Sequence, residues 1–215
     1  DGNSIMAIIS ENVVNSLSVE TSFNGTTRAL RTPDPLEFNG SSSFDIDDLQ
    51  GSPTAIGELT VTTTNACTLA KCEGVDELIL MDGSSFKLVV DGNAPTNVEG
   101  NFVLDYTMKA NDYLEHPLGA TITGENLNYI VQEASFNGSV TVAPKEDIVF
   151  KPNGEAGAAD ASFTLKAQGT SITSEMTDNK ITSLDGTAGF EAKASLKNTK
   201  DEVSIEFNEG TAEFD

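Results

Sequence analysis

Two cysteines, one histidine and thirty-four carboxylates are the residues through which this 215-residue chain could do chemistry. The cysteines, Cys67 and Cys72, stand four residues apart. That spacing is longer than the C-x-x-C of redox pairs. A zinc site needs three or four ligands, and His116 is the one imidazole in the chain. The remaining use is a local disulfide pinning a loop, which implies an oxidising compartment. A Ser-His-Asp or Cys-His arrangement would also have to use His116. Its setting, Tyr113-Leu114-Glu115-His116-Pro117, reads as a turn before proline, and no strand-to-helix nucleophile elbow occurs. Hydrolysis through a serine or cysteine nucleophile is therefore not expected.

Carboxylates offer two further chemistries. The densest cluster is Phe44-Asp45-Ile46-Asp47-Asp48, in which a strand would put Asp45 and Asp47 on one face and Asp48 at the following turn. Such hard oxygen ligands suit calcium. No twelve-residue calcium loop closed by Glu is present, so a solvated acidic face explains the cluster more simply. No other cofactor is expected. A pair of carboxylates could also cleave a glycosidic bond, but the count of acids says nothing about their spacing. With no Trp and three Tyr, the aromatic platforms that hold sugars are scarce.

Charge narrows the partners. Twelve Lys and Arg against thirty-four Asp and Glu leave a formal net charge of −22. Such a polyanion repels phosphate backbones and anionic lipid headgroups, and it keeps copies of itself apart. The expectation is a monomer that binds no nucleic acid. No apolar run approaches the ~18 residues of a membrane-spanning helix. The start, Asp1-Gly2-Asn3-Ser4, lacks the basic and apolar regions of a signal peptide. It reads as a polar tether behind a processed or lipid-anchored N-terminus.

The elements that would position these groups are strands. Phe102, Leu104, Tyr106 and Met108 alternate with polar neighbours, as do Phe163, Leu165 and Ala167. Phe190, Ala192, Ala194 and Leu196 repeat the pattern, and so do Val203, Ile205 and Phe207. A period of two with one apolar face marks antiparallel strands wetted on one side. Asn-Gly at 24–25, 39–40, 137–138 and 153–154 and Asp-Gly at 82–83, 91–92 and 185–186 read as hairpin turns. The Asp82-Gly83 pair predicts a hairpin over Leu78–Val90. Ser22-Phe23-Asn24-Gly25 recurs as Ser135-Phe136-Asn137-Gly138, which admits either an internal duplication (about 19–112 and 131–215) or reuse of turn chemistry.

The first segment departs from this period. Ile5, Met6, Ile8, Ile9, Val13, Val14 and Leu17 fall at helical steps, so residues 1–18 read as a helical segment docked on one β domain, 19–215. Their β-branched side chains weigh against it. The expected fold is mainly β: a large, curved antiparallel sheet of about twelve or more strands, sandwich- or barrel-like, with one short N-terminal helix. The first functional expectation is a non-enzymatic, exported cell-envelope or secreted module, lipoprotein- or adhesin-like, with periplasm, cell surface and medium all open. The second is a carrier of an apolar ligand such as a lipid, with Ile5, Ile9 and Val13 of the helix closing over Ala192 and Ala194. The third is a carbohydrate-active enzyme using carboxylates.

Overall fold

The alternating segments form one antiparallel sheet. A computed structural model describes residues 3–28, 34–71, 76–109, 114, 116–150, 159–197 and 202–214, with backbone alone at 159, 160, 195–197, 202–209 and 214. Fourteen strands follow one another: β1 (Ser4–Ser10), β2 (Val13–Thr27), β3 (Leu36–Asp47), β4 (Thr54–Thr63), β5 (Cys67–Lys71), β6 (Asp76–Leu80), β7 (Ser85–Asp91), β8 (Ala94–Met108), β9 (Leu118–Ile130), β10 (Ser135–Pro144), β11 (Ile148–Phe150), β12 (Ala159–Thr177), β13 (Lys180–Lys197) and β14 (Glu202–Phe214). The order across the sheet is β1-β2-β3-β4-β7-β8-β9-β10-β12-β13-β14, with β6 on β8, β5 on β6 and β11 on β12.

The expected N-terminal helix is not there. Residues 4–10 and 13–27 are instead β1 and β2, joined through Glu11 and Asn12 at φ 55° and 65°. Two consecutive positive φ angles make the tight hairpin turn whose twist suits flanking strands. The β-branched Ile and Val side chains favour that outcome. The apparent helical stripe is β1, apolar on both faces, and the apolar start of β2, read across a turn.

Nor does the sheet close into a sandwich or barrel. Every extensive strand-to-strand contact is between strands that hydrogen-bond in the sheet, and β1 and β14 end it at opposite edges. The described residues thus form a single layer. Few side chains are buried among the described residues: Cys67, Leu80, Leu114, Ala120 and Ile148, with the polar Thr63, Thr68, Ser84, Ser135 and Thr170. Alternation remains visible without a second layer. Along β3 the odd-facing Glu37, Asn39, Ser41, Ser43, Asp45 and Asp47 are exposed, and Leu36, Phe38, Gly40, Ser42, Phe44 and Ile46 are half-buried.

The hairpin expected over Leu78–Val90 is also absent. β6 and β7 pair end to end along the same partner, β8. The intervening turn is seated in the sheet: Gly83 N donates to Thr63 O at 2.9 Å, and Thr63 N to Ser84 O at 2.8 Å. Ser84 Oγ donates to Met81 O at 2.9 Å and accepts from Val103 N at 3.2 Å. Those bonds hold Asp82-Gly83 as a step in one long strand line and not as a reversal.

Candidate functional surface

Register carries one face of the sheet from edge to edge. Ala7 pairs with Leu17, Leu17 with Ile46, Phe44 with Gly57, Leu59 with Leu88, and Phe86 with Gly100. Phe102 pairs with Gly124, Val140 with Gly124, Ile172 with Gly186, and Phe190 with Gly210. Directly paired residues share a face, so these apolar and small side chains form one continuous surface. No second layer lies on it among the described residues.

Phenylalanine and glycine organise that surface. Six cross-strand pairs set a Phe against a Gly: Phe23–Gly40, Phe38–Gly25, Phe44–Gly57, Phe86–Gly100, Phe102–Gly124 and Phe190–Gly210. Each ring lies over the neighbouring strand where a side chain would stand. A Cβ at Gly25 would come within 2.6 Å of the Phe38 ring, and one at Gly124 within 2.5 Å of Phe102. A Cβ at Gly57 would collide with the Ser43 carbonyl as well as the Phe44 ring. Rings laid across glycines cover backbone that a single layer would leave wet. Asn24-Gly25 and Asn39-Gly40 are therefore mid-strand features, contrary to the turn reading. Asn137-Gly138 and Asp185-Gly186 likewise lie within β10 and β13, and Asn153-Gly154 lies outside the described residues.

The opposite face is charged. Lys87 Nζ lies 2.7 Å from Glu58 and 3.8 Å from Glu99 on flanking strands. Lys166 sits 2.7 Å from Asp147 and 3.3 Å from Glu191. Hydrogen bonding to these carboxylates raises the pKa of both lysines, Glu58 acting first on Lys87 and Asp147 first on Lys166. Asp147 is held below the usual carboxylate range by Lys166 and by the Ala167 N–H. Exposed pairs of this kind stabilise little.

A third feature is an asparagine grip at strand starts. Asn93, at φ 69° in the β7–β8 turn, donates its N–H to Ala55 O at 3.1 Å. Its Oδ1 accepts from Ala55 N at 2.7 Å, and its Nδ2 donates to Pro53 O at 2.8 Å. Asn179, at φ 63° in the β12–β13 turn, repeats all three bonds on Phe136 and Ala134, at 3.1, 3.0 and 2.8 Å. Asn65 grips Glu37 N at 2.8 Å and Pro35 O at 2.9 Å. Each grip holds the second residue of a strand, in β4, β10 and β3. The two gripping hairpins share a local sequence, Asn93-Ala-Pro-Thr96-Asn-Val98-Glu99-Gly100 and Asn179-Lys-Ile-Thr182-Ser-Leu184-Asp185-Gly186. Both also shift register just before the turn, at Val89/Val90 and Glu175/Met176. Sequence reasoning passed over this motif because it weighed only Asn-Gly and Asp-Gly as turns.

The residues expected to carry chemistry are dispersed. No disulfide is seen: Cys67 is a buried free thiol whose Sγ points at the Asp34 carbonyl, 3.6 Å away. Burial, and then the Asp34 carboxylate, pushes its pKa up. Cys72 lies outside the described residues. Asp45 and Asp47 share the exposed face of β3, but Asp48 has φ 53° and its Oδ2 accepts from Ser52 N at 2.9 Å, closing the turn. Among the described residues no three His, Cys, Asp or Glu side chains converge as metal ligands. His116 is exposed between strands. Ile5 and Ile9 lie on β1 and Val13 opens β2, while Ala192 and Ala194 lie on β13, next to the far edge. The sheet does not bring the two groups together. A shallow hollow of about 220 Å³ beside the Phe102–Gly124 pair is lined by Ser84, Asn101, Thr123 and Asn126 among others.

Among the described residues no helix is long and apolar enough to cross a membrane, which says nothing of strand-built spans. No protein-family model matches the chain, and no curated protein or solved structure is found to be similar to it.

Proposed function

We propose that the chain is a non-enzymatic binding module of the exported, cell-envelope type, lipoprotein- or adhesin-like, whose working surface is the apolar face of the sheet. One observation carries this reading: an apolar surface running through every strand of the main path, with no second layer on it among the described residues. Contiguous apolar patches of that extent on soluble chains mark binding surfaces. The export component rests on the strand-rich, Ser-, Thr- and Asn-rich composition, since the disulfide that also pointed to it is not seen.

The same face suits the narrower reading of an apolar-ligand carrier. Native mass spectrometry of the purified chain, followed by a denaturing spectrum and solvent extraction, separates the two. A discrete, extractable lipid increment favours the carrier. A bare chain that binds an environment-sensitive apolar dye, and loses the dye when Leu59→Glu and Leu88→Glu are combined, favours macromolecular binding. Turnover of a polysaccharide that disappears on carboxylate substitution would overturn the non-enzymatic reading.

A further inference from the structure

β1 has the makings of an interior strand at an open edge. Its seven residues, Ser-Ile-Met-Ala-Ile-Ile-Ser, are exposed throughout, Ile5 at 75% and Ile9 at 64%. Ile5, Ala7 and Ile9 continue the apolar face, while Met6 and Ile8 are apolar on the other. Strands apolar on both faces are ordinarily covered on both. Edge strands, in contrast, are ordinarily blunted by charge or proline. β1 has neither, whereas the opposite edge, β14, carries Glu202, Glu206, Glu209 and Glu213.

The hairpin that β1 opens is a third copy of the gripping kind. Its two-residue turn, Glu11-Asn12, has both φ angles positive, as do Gly92-Asn93 and Asp178-Asn179. Its register shift, Ile8/Ile9, stands four and three residues before the asparagine, as in the other two. In those two, the first strand of the hairpin has an antiparallel neighbour on its outer side, β4 on β7 and β10 on β12, and the turn asparagine grips it. Asn12 occupies the equivalent place beside an outer edge of β1 that bears no strand among the described residues.

We propose that this place is taken by β1 of a second copy, paired antiparallel about a two-fold axis at Ala7. The sequence of β1 is close to a palindrome about that residue. Pairing would set Ser4 on Ser10, Ile5 on Ile9, Met6 on Ile8 and Ala7 on Ala7 of the other copy. A perpendicular two-fold keeps every side chain on its own face, so both apolar faces join without a step. The same register sets Asn12 of each copy beside Asn3 of the other, where Ala55 stands to Asn93 and Phe136 to Asn179. Charge selects the same edge: two chains of −22 repel over most of their surfaces, and β1 is a long strand edge without a carboxylate. This strand is where the monomer expected from net charge would give way to a pair.

Sedimentation equilibrium of the full chain from micromolar to millimolar tests this, in 50 mM and 500 mM NaCl. A monomer–dimer equilibrium that tightens with salt is expected, because salt screens the repulsion between like-charged copies. Ala7→Lys sets two ammonium groups against each other on the axis and abolishes the dimer, with far-UV circular dichroism unchanged. Asn12→Gly keeps the turn and weakens the dimer roughly tenfold through the lost grips. Ala7→Cys, with Cys67→Ser and Cys72→Ser, oxidises to a covalent dimer, whereas Met6→Cys in that background does so far more slowly. A monomer at every concentration, open-ended growth from β1 meeting β14, or equal crosslinking at positions 6 and 7 overturns the proposal.

Discussion

Two hairpins of nearly the same local design sit in opposite surroundings. β7–β8 lies inside the sheet, its outer strand pressed against β4 and its turn asparagine bonded three times to that neighbour. β1–β2 has the same turn geometry and the same register shift, but one side of it is open. The turn forms in both, so it is a property of the local sequence. What differs is everything supplied from outside: the grip, the rings over glycines, and burial. In a single layer, stability resides in the junctions between hairpins more than in the hairpins themselves.

The comparison can be broken first by truncation. Leu80→Ala, in the seated turn region, should cost about 3 kcal/mol, as buried leucines do, while the exposed Ile8→Ala should cost less than about 1 kcal/mol. Urea denaturation reads both, and equal costs would mean that β1 is already covered at the concentration used. Adding volume comes next. Gly57→Ala should cost about 2 kcal/mol, since backbone and not a flexible side chain opposes the new methyl. Ala7→Val on the open edge should change stability by less than about 0.5 kcal/mol.

The grips give a smaller and more specific contrast. Asn93→Gly and Asn179→Gly keep the positive φ and delete the side-chain bonds, so each should cost about 1–2 kcal/mol. Asn12→Gly should leave the dilute monomer unchanged within about 0.5 kcal/mol. The smallest effect concerns Asp147. Because its folded-state pKa is depressed, its contribution is present above the ordinary carboxylate pKa and is lost as pH falls through the depressed value. The melting temperature of the wild type should exceed that of Asp147→Asn at pH 7, converge with it in strong acid, and do so earlier in high salt.

The strand content of this molecule was readable because alternation is local. Phe102–Met108 and Phe190–Leu196 fall within β8 and β13 as the period of two requires. Residues 4–17 misled because β1, apolar on both faces, and the apolar start of β2 together mimic a helical stripe until the turn is recognised, and Glu11-Asn12 is not among the commonest turn pairs. Asn24-Gly25 and Asn39-Gly40 misled for the opposite reason. Read antiparallel, Phe-Asn-Gly against Phe-Asn-Gly puts each ring on the other's glycine, a meaning that exists only between strands. Closure could not be read at all, since alternation reports that a face is apolar and not what lies on it. Of the residues singled out for chemistry, Asp48 and Cys67 turn out to serve the local structure. Asp45, Asp47, Ile5 and Ile9 lie on open surface.

A sheet whose extensive contacts all lie between hydrogen-bonded neighbours behaves as a one-dimensional array. Its free energy is a sum over adjacent junctions, with no central core to make distant strands melt together. Loss of structure should therefore unzip inward from the two ends. Denaturation followed by different probes would then fail to coincide, which departs from the all-or-none unfolding of small domains. Joining two copies at β1 would remove one of the two fraying ends from each, protecting the first hairpins without adding a contact anywhere else.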